Sequence, residues 1–123
     1  MTRAAAALLP TLLIALVFGG KAATADGVAV FARCRVCHTV EADGPNGAGP
    51  NLHGLFGRTA GSVPGFNYSE AMKKSGVVWN EESLTKYLHE PRAFIPGDRM
   101  AFPGIKDDKQ LAELIDYLKQ VTK

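Results

Sequence analysis

The sequence predicts an all-α fold in which a few short helices are joined by loops long enough to wrap a ligand. Three observations lead there. The C-terminal segment sets Leu111, Leu114, Ile115 and Leu118 at i, i+3, i+4 and i+7, the apolar stripe of an amphipathic helix. No run alternates apolar and polar residues in the way a half-buried strand does. Between Thr39 and Val63 the chain is rich in glycine, carries Pro45 and Pro50, and has few spaced apolar residues. A compact domain rarely holds so long a loop without a functional reason such as enclosing a ligand.

Taken in order, GVAVFARCRVCH reads as a first short helix, with Gly27 and Phe31 four apart on one face. The glycine-rich loop follows. Ser69 is placed to cap a short helix, EAMKKSG, which Gly76 ends. Asn80 caps the next, with Glu81 and Glu82 in the first turn where the helix dipole favours negative charge. Leu84, Tyr87 and Leu88 share its buried face, and Pro91 stops it. PRAFIPGDRMAFPGIK reads as a second long loop. Asp107 with Gln110 three residues on resembles a capping box at the start of the last helix.

The first 25 residues stand apart. Arg3, a nearly unbroken apolar run to Gly20, and small residues at Ala23 and Ala25 have the layout of a secretory signal peptide cut after Ala25. The other reading is an uncleaved membrane anchor, for which the run is short and is weakened by Pro10 and its glycines. Cleavage leaves one domain, residues 26–123, too small to build a large core unaided. It also removes Arg3 and Lys21, so twelve basic side chains face twelve acidic ones. A neutral balance argues against nucleic acid as a partner. In an oxidising compartment the two cysteines must be paired, bound to metal or chemically consumed.

Both cysteines lie in CRVCH, Cys34 to His38. A structural zinc site would need a second ligand pair, which the sequence lacks. A thioredoxin-like CxxC would open a helix in a βαβ setting, and no strands are predicted. Covalent haem attachment accounts for every residue: two thiols add across the two vinyl groups, and the histidine is carried beneath the iron. A large flat apolar ligand would also supply the core that this domain needs. For the opposite side of the iron the candidates are His53, His89, Met72 and Met100. Met100 is favoured, because IPGDRMAFPG sets it in a loop between two Pro-Gly turns where helix packing does not explain it; Met72 reads as a core residue of its short helix. A His/Met pair stabilises ferrous iron and raises the reduction potential.

These stretches together resemble the class I c-type cytochromes, near the mitochondrial cytochrome c and bacterial cytochrome c2 group. The resemblance runs through GVAVF, CRVCH, GPNLHGLFGR, PGFNYS, Trp79, LTKYLHEP, IPGDRMAFPGIK and LIDYLK, in that order. It implies a small fold of helices and long loops around one covalent haem c, with His38 and Met100 as iron ligands. Pro50 is expected to offer its carbonyl to the His38 ring and Leu52 to pack beside it. Arg58, Tyr68 and Trp79 are expected around the haem propionates, and Tyr87 near the methionine sulfur. Gly27 and Phe31 are expected where the first helix crosses the last, near Leu114 and Tyr117. Two departures stand out. Met72 replaces an asparagine, and Asp98 a threonine, of a hydrogen-bond network in mitochondrial relatives; that network is expected to be altered, with a carboxylate near the haem pocket.

The resemblance further implies a soluble, monomeric, periplasmic one-electron carrier rather than an enzyme. Its expected partners are a quinol-oxidising complex of the cytochrome bc1 type or a periplasmic dehydrogenase, and a cytochrome oxidase or other terminal reductase. Arg33, Arg92, Arg99 and Lys106 are expected to ring the exposed haem edge, with Arg35 nearby in sequence, and to dock acidic surfaces. The alternative is a haem peroxidase-like or gas-binding protein with labile methionine ligation.

Overall fold

The computed structural model describes residues 25–123. Residues 1–24 of the predicted signal peptide lie outside the described residues. Five helices follow one another: α1 (Ala25–Arg35), α2 (Glu70–Lys74), α3 (Glu81–His89), α4 (Pro91–Phe94) and α5 (Asp108–Val121). Among the described residues the only β pairing is an isolated antiparallel bridge between Thr59 and Val78. No helix among them is long and apolar enough to cross a membrane.

Three of the described helices, α2, α3 and α5, begin where short polar side chains satisfy their first N–H groups. Ser69 accepts from the Met72 N–H at α2 (3.0 Å). Asn80 and Ser83 form a reciprocal capping box at α3. At α5 the Asp107 carboxylate accepts from the Gln110 N–H (2.8 Å), while the two-way box is the one at α3. The chain departs from the sequence reading at Pro91. It does end α3, but it also opens the one-turn helix α4 as its first residue. Proline suits that position, because its missing N–H would have had no partner there and its fixed φ is already helical.

Three helix contacts set the frame. α1 and α5 pack together, and α3 packs on α4 and α5. At the α1–α5 crossing a Cβ on Gly27 would fall 2.8 Å from the Glu113 carbonyl oxygen and 3.1 Å from Tyr117 Cβ. Only glycine allows that approach without a shift of backbone. Phe31 and Leu114 are sealed beneath it, at 1% and 0% exposure, with the Phe31 and Tyr117 rings 5.1 Å apart. Burying such side chains contributes about 1.5–3 kcal/mol each. Between these helix pairs the chain runs without helix from Val36 to Ser69 and again from Ile95 to Asp107, and the candidate site is built from these two stretches.

Candidate haem site

The CRVCH segment is the last turn of α1 and the tight turn that follows it. The Cys37 and His38 N–H groups both donate to the Cys34 carbonyl, at 3.0 and 2.9 Å, so the chain folds back over itself immediately after the first thiol. Cys34 and Cys37 are half-buried and unbonded to each other. Burial pushes the Cys34 thiol up to about 11, against the pull of the Arg33 charge. A thiol held in its protonated form is a poor thiol–disulfide exchanger, the opposite of a redox-active CxxC. Among the described residues no three His, Cys, Asp or Glu side chains are grouped to hold a metal ion.

The His38 ring is fixed from two sides. Its Nδ1 lies 2.7 Å from the Pro50 carbonyl oxygen, and in that pair Nδ1–H donates, leaving Nε2 as the lone-pair nitrogen. Gly49 packs flat against the ring: a Cβ there would fall 2.3 Å from His38 Cε1 and 2.7 Å from both ring nitrogens. Burial keeps the imidazole below its usual range, against the opposing effect of the Pro50 hydrogen bond. The ring is therefore neutral at pH 7, the form that binds metal.

What holds Gly49 and Pro50 in place is a small network in the first loop. The Gly49 N–H donates to the Cys37 carbonyl (2.9 Å) and the Leu52 N–H to the Thr39 carbonyl (2.8 Å). The Asn51 side chain sits at the centre. Its Nδ2 donates to Thr39 Oγ1 (2.7 Å) and to the Glu41 carbonyl (2.9 Å), and its Oδ1 accepts from the His53 N–H (3.0 Å). Arg58 then ties the next turn down, donating through one Nη to the carbonyls of Asn51 and His53, both at 3.1 Å. Neither Asn51 nor Gly49 was singled out from the sequence. A glycine-rich loop does not reveal which glycine lies against a ring or which asparagine is a hub.

The second loop brings Met100 back over α3. The Tyr87 hydroxyl lies 3.7 Å from the Met100 sulfur and 2.5 Å from Asp98 Oδ2. Tyr87 is buried against Trp79 and Phe94, with ring centroids 5.0 and 6.4 Å away. Burial first, and the Asp98 carboxylate second, push its phenol far above the ordinary range, so the hydroxyl keeps its proton. The loop is stapled to the end of α3: the Ile105 N–H donates to the Leu88 carbonyl (2.9 Å) and Lys106 Nζ to the His89 carbonyl (2.8 Å). Of the other ligand candidates, Met72 is buried in the core on α2. The His53 and His89 backbones take part in the loop and helix-end hydrogen bonds just described.

Trp79 is buried, and its backbone pairs with Gly57 and Arg58 at 2.7 and 2.9 Å. The Tyr68 hydroxyl accepts from the Val63 N–H (3.1 Å). Leu52, Phe56, Tyr68, Met100 and Phe102 are half-buried and pack against the core. The donor set suits a flat, iron-bearing macrocycle. A neutral imidazole offers Nε2 from a glycine cradle, a thioether stands beside a phenol, and two unpaired thiols lie within one turn.

Comparison with known proteins points the same way. The cytochrome c family model matches residues 24–122. The chain is 53% identical over 91 residues to a cytochrome c of Gibberella zeae, covering 74% of this chain and 86% of that one. It is 47% identical over 96 residues to cytochrome c2 of Blastochloris viridis (78% and 76%) and over 97 residues to cytochrome c2 iso-2 of Magnetospirillum fulvum (79% and 100%). The chain belongs to the cytochrome c family. It is a one-electron carrier that passes electrons between redox partners, not an enzyme.

Proposed function

We propose that the chain carries electrons on one haem c, joined through thioethers to Cys34 and Cys37 and ligated by His38 and Met100. Once bound there, the haem supplies a reversible one-electron couple. The protein's own contribution is to hold both ligands still through the cycle and to keep water from them. His38 is oriented by Pro50 and Gly49, which fixes the tautomer and strengthens Nε2 as a donor. Met100 is held by a loop stapled to α3 at Leu88 and His89. Leu52 flanks the imidazole. Arg58, Tyr68 and Trp79 serve the propionates, where a guanidinium and two hydrogen-bonding aromatics offset charge that is costly to bury.

The observation that carries this reading is two donors, each fixed by its own surroundings. One is a neutral imidazole with only Nε2 left to give, and the other is a thioether set beside a buried phenol. The decisive experiment is the absorption spectrum of the purified ferric and ferrous protein. Low-spin spectra with the weak far-red ferric band of methionine–iron bonding are expected. A high-spin ferric spectrum at neutral pH would sink the carrier reading in favour of an open, peroxidase-like or gas-binding iron.

On the partner face Arg33, Arg92, Arg99 and Lys106, all exposed, serve docking at the haem edge. They are not equally free. Lys106 pairs with Glu90 (3.4 Å) and Arg99 donates to the Asn67 carbonyl (3.1 Å), while Arg35 lies over the Phe31 ring at 5.5 Å. The partners proposed are a bc1-type complex or a periplasmic dehydrogenase on the donor side and an oxidase or reductase on the acceptor side, with the protein exported to the periplasm.

A further inference from the structure

The Tyr87 hydroxyl has one proton and two acceptors within reach, and they are unequal. Asp98 Oδ2 is at 2.5 Å and is a strong oxygen acceptor, whereas the Met100 sulfur is at 3.7 Å and is a weak acceptor by nature. Burial of the ring against Trp79 and Phe94 fixes the hydroxyl oxygen relative to both acceptors. Nor is the carboxylate loosely placed. The Asp98 N–H donates to the Ile95 carbonyl (3.0 Å), and the preceding Gly97, at φ +91°, lies so close to Ala71 that an added Cβ would meet its methyl at 3.1 Å. The neighbouring Arg99 turns its guanidinium to the Asn67 carbonyl rather than to Asp98.

We infer that Asp98 is a positioning residue that holds the Tyr87 proton away from the Met100 sulfur. This deepens the proposed function and rests on its assignment of Met100 as an iron ligand. The consequence follows from donor strength. A thioether that shares a proton with a phenol has less electron density to give. One that shares nothing gives more, and favours the ferric state. The carboxylate charge acts in the same direction. Asp98 therefore lowers the reduction potential, in part through Tyr87, and a chain without it is the stronger oxidant.

The test uses the haem-loaded protein in four forms: wild type, Asp98→Asn, Tyr87→Phe and the double variant, with Asp98→Thr as a second neutral replacement should Asp98→Asn fold poorly. Two quantities are read, the midpoint potential and the Tyr87 hydroxyl proton resonance of the diamagnetic ferrous protein. The resonance is expected far downfield in wild type, moved upfield in Asp98→Asn and absent in Tyr87→Phe. Asp98→Asn is expected to raise the ferrous-to-ferric ratio at fixed poise by up to about tenfold, about 59 mV for a one-electron couple. The rise should be smaller when Tyr87 is already Phe, the non-additivity of two groups acting through one bond. An unmoved hydroxyl resonance, or an equal rise in both backgrounds, overturns the inference. A wild-type ferric spectrum without the far-red methionine band overturns the ligand assignment instead, and does so before any variant is made.

Discussion

Gly104→Ala is the substitution whose cost can be worked most directly from the structure. Gly104 sits at φ +99°, and a Cβ there would fall 2.1 Å from the His89 carbonyl oxygen and 2.8 Å from its carbon. Both are backbone atoms at the end of α3, so neither can swing aside. Gly57 has nearly the same φ, +91°, yet has nothing within 4 Å of its Cβ position. Both alanines carry a backbone cost of about 1–3 kcal/mol. Only Gly104→Ala adds an overlap worth about 1–3 kcal/mol. It also loosens the Ile105–Leu88 hydrogen bond beside it, worth about 0.5–1.5 kcal/mol. The expected excess of Gly104→Ala over Gly57→Ala is thus about 2–4 kcal/mol, a large share of the ~5–15 kcal/mol of a typical domain. Denaturant unfolding of the haem-loaded proteins, followed by far-ultraviolet circular dichroism, measures it. Because Gly104 belongs to the loop that carries Met100, the far-red band should fade at lower denaturant than the helix signal in this variant only. Equal costs for the two alanines, within about 0.5 kcal/mol, would refute the view that close approach to α3 is what holds the loop.

Three further outcomes are expected. Gly49→Ala should leave the helix content intact while displacing the His38 ring, seen as a loss of low-spin ferric character, since its Cβ would overlap the imidazole. Asn51→Ala removes a side chain with three hydrogen bonds and should cost about 1–3 kcal/mol in denaturant unfolding. Electron-transfer rates with an acidic partner should fall as ionic strength rises, with Arg33→Ala and Arg92→Ala flattening the slope; a rate indifferent to salt would count against the basic face.

How legible all this was in the sequence varied with the range of the interaction. The caps at Ser69, Asn80 and Asp107 and the α5 stripe are local, and each shows in a window of a few residues. The CRVCH motif is equally local. In the sequence Pro91 reads as a stop and not as a start, because a proline that ends one helix looks the same when it begins another. The support of the site was not legible. Gly49 is one of several glycines in its loop, and only the fold decides that it is the one against His38. The hold of Gly104 on His89 joins residues 15 apart through backbone atoms, which leave no mark on residue type beyond the glycine itself. Asp98 was noticed as an unusual carboxylate, but its bond to Tyr87, eleven residues earlier, comes from the return of the loop over α3.

The crossing of α1 and α5 has a consequence for which parts of the chain can open alone. It joins Gly27 to Glu113 and so encloses most of the domain in a ring of roughly 85 residues, whose closure costs about 4 kcal/mol of chain entropy. An 11-residue helix such as α1 is marginal without its partner, so neither helix can be released and remain folded. Amide hydrogens of Phe31 and Leu114 should therefore exchange with solvent only when the whole molecule unfolds. Those of the first loop, such as Val63, whose N–H is held by the Tyr68 hydroxyl alone, should exchange through small local openings that leave the ring closed.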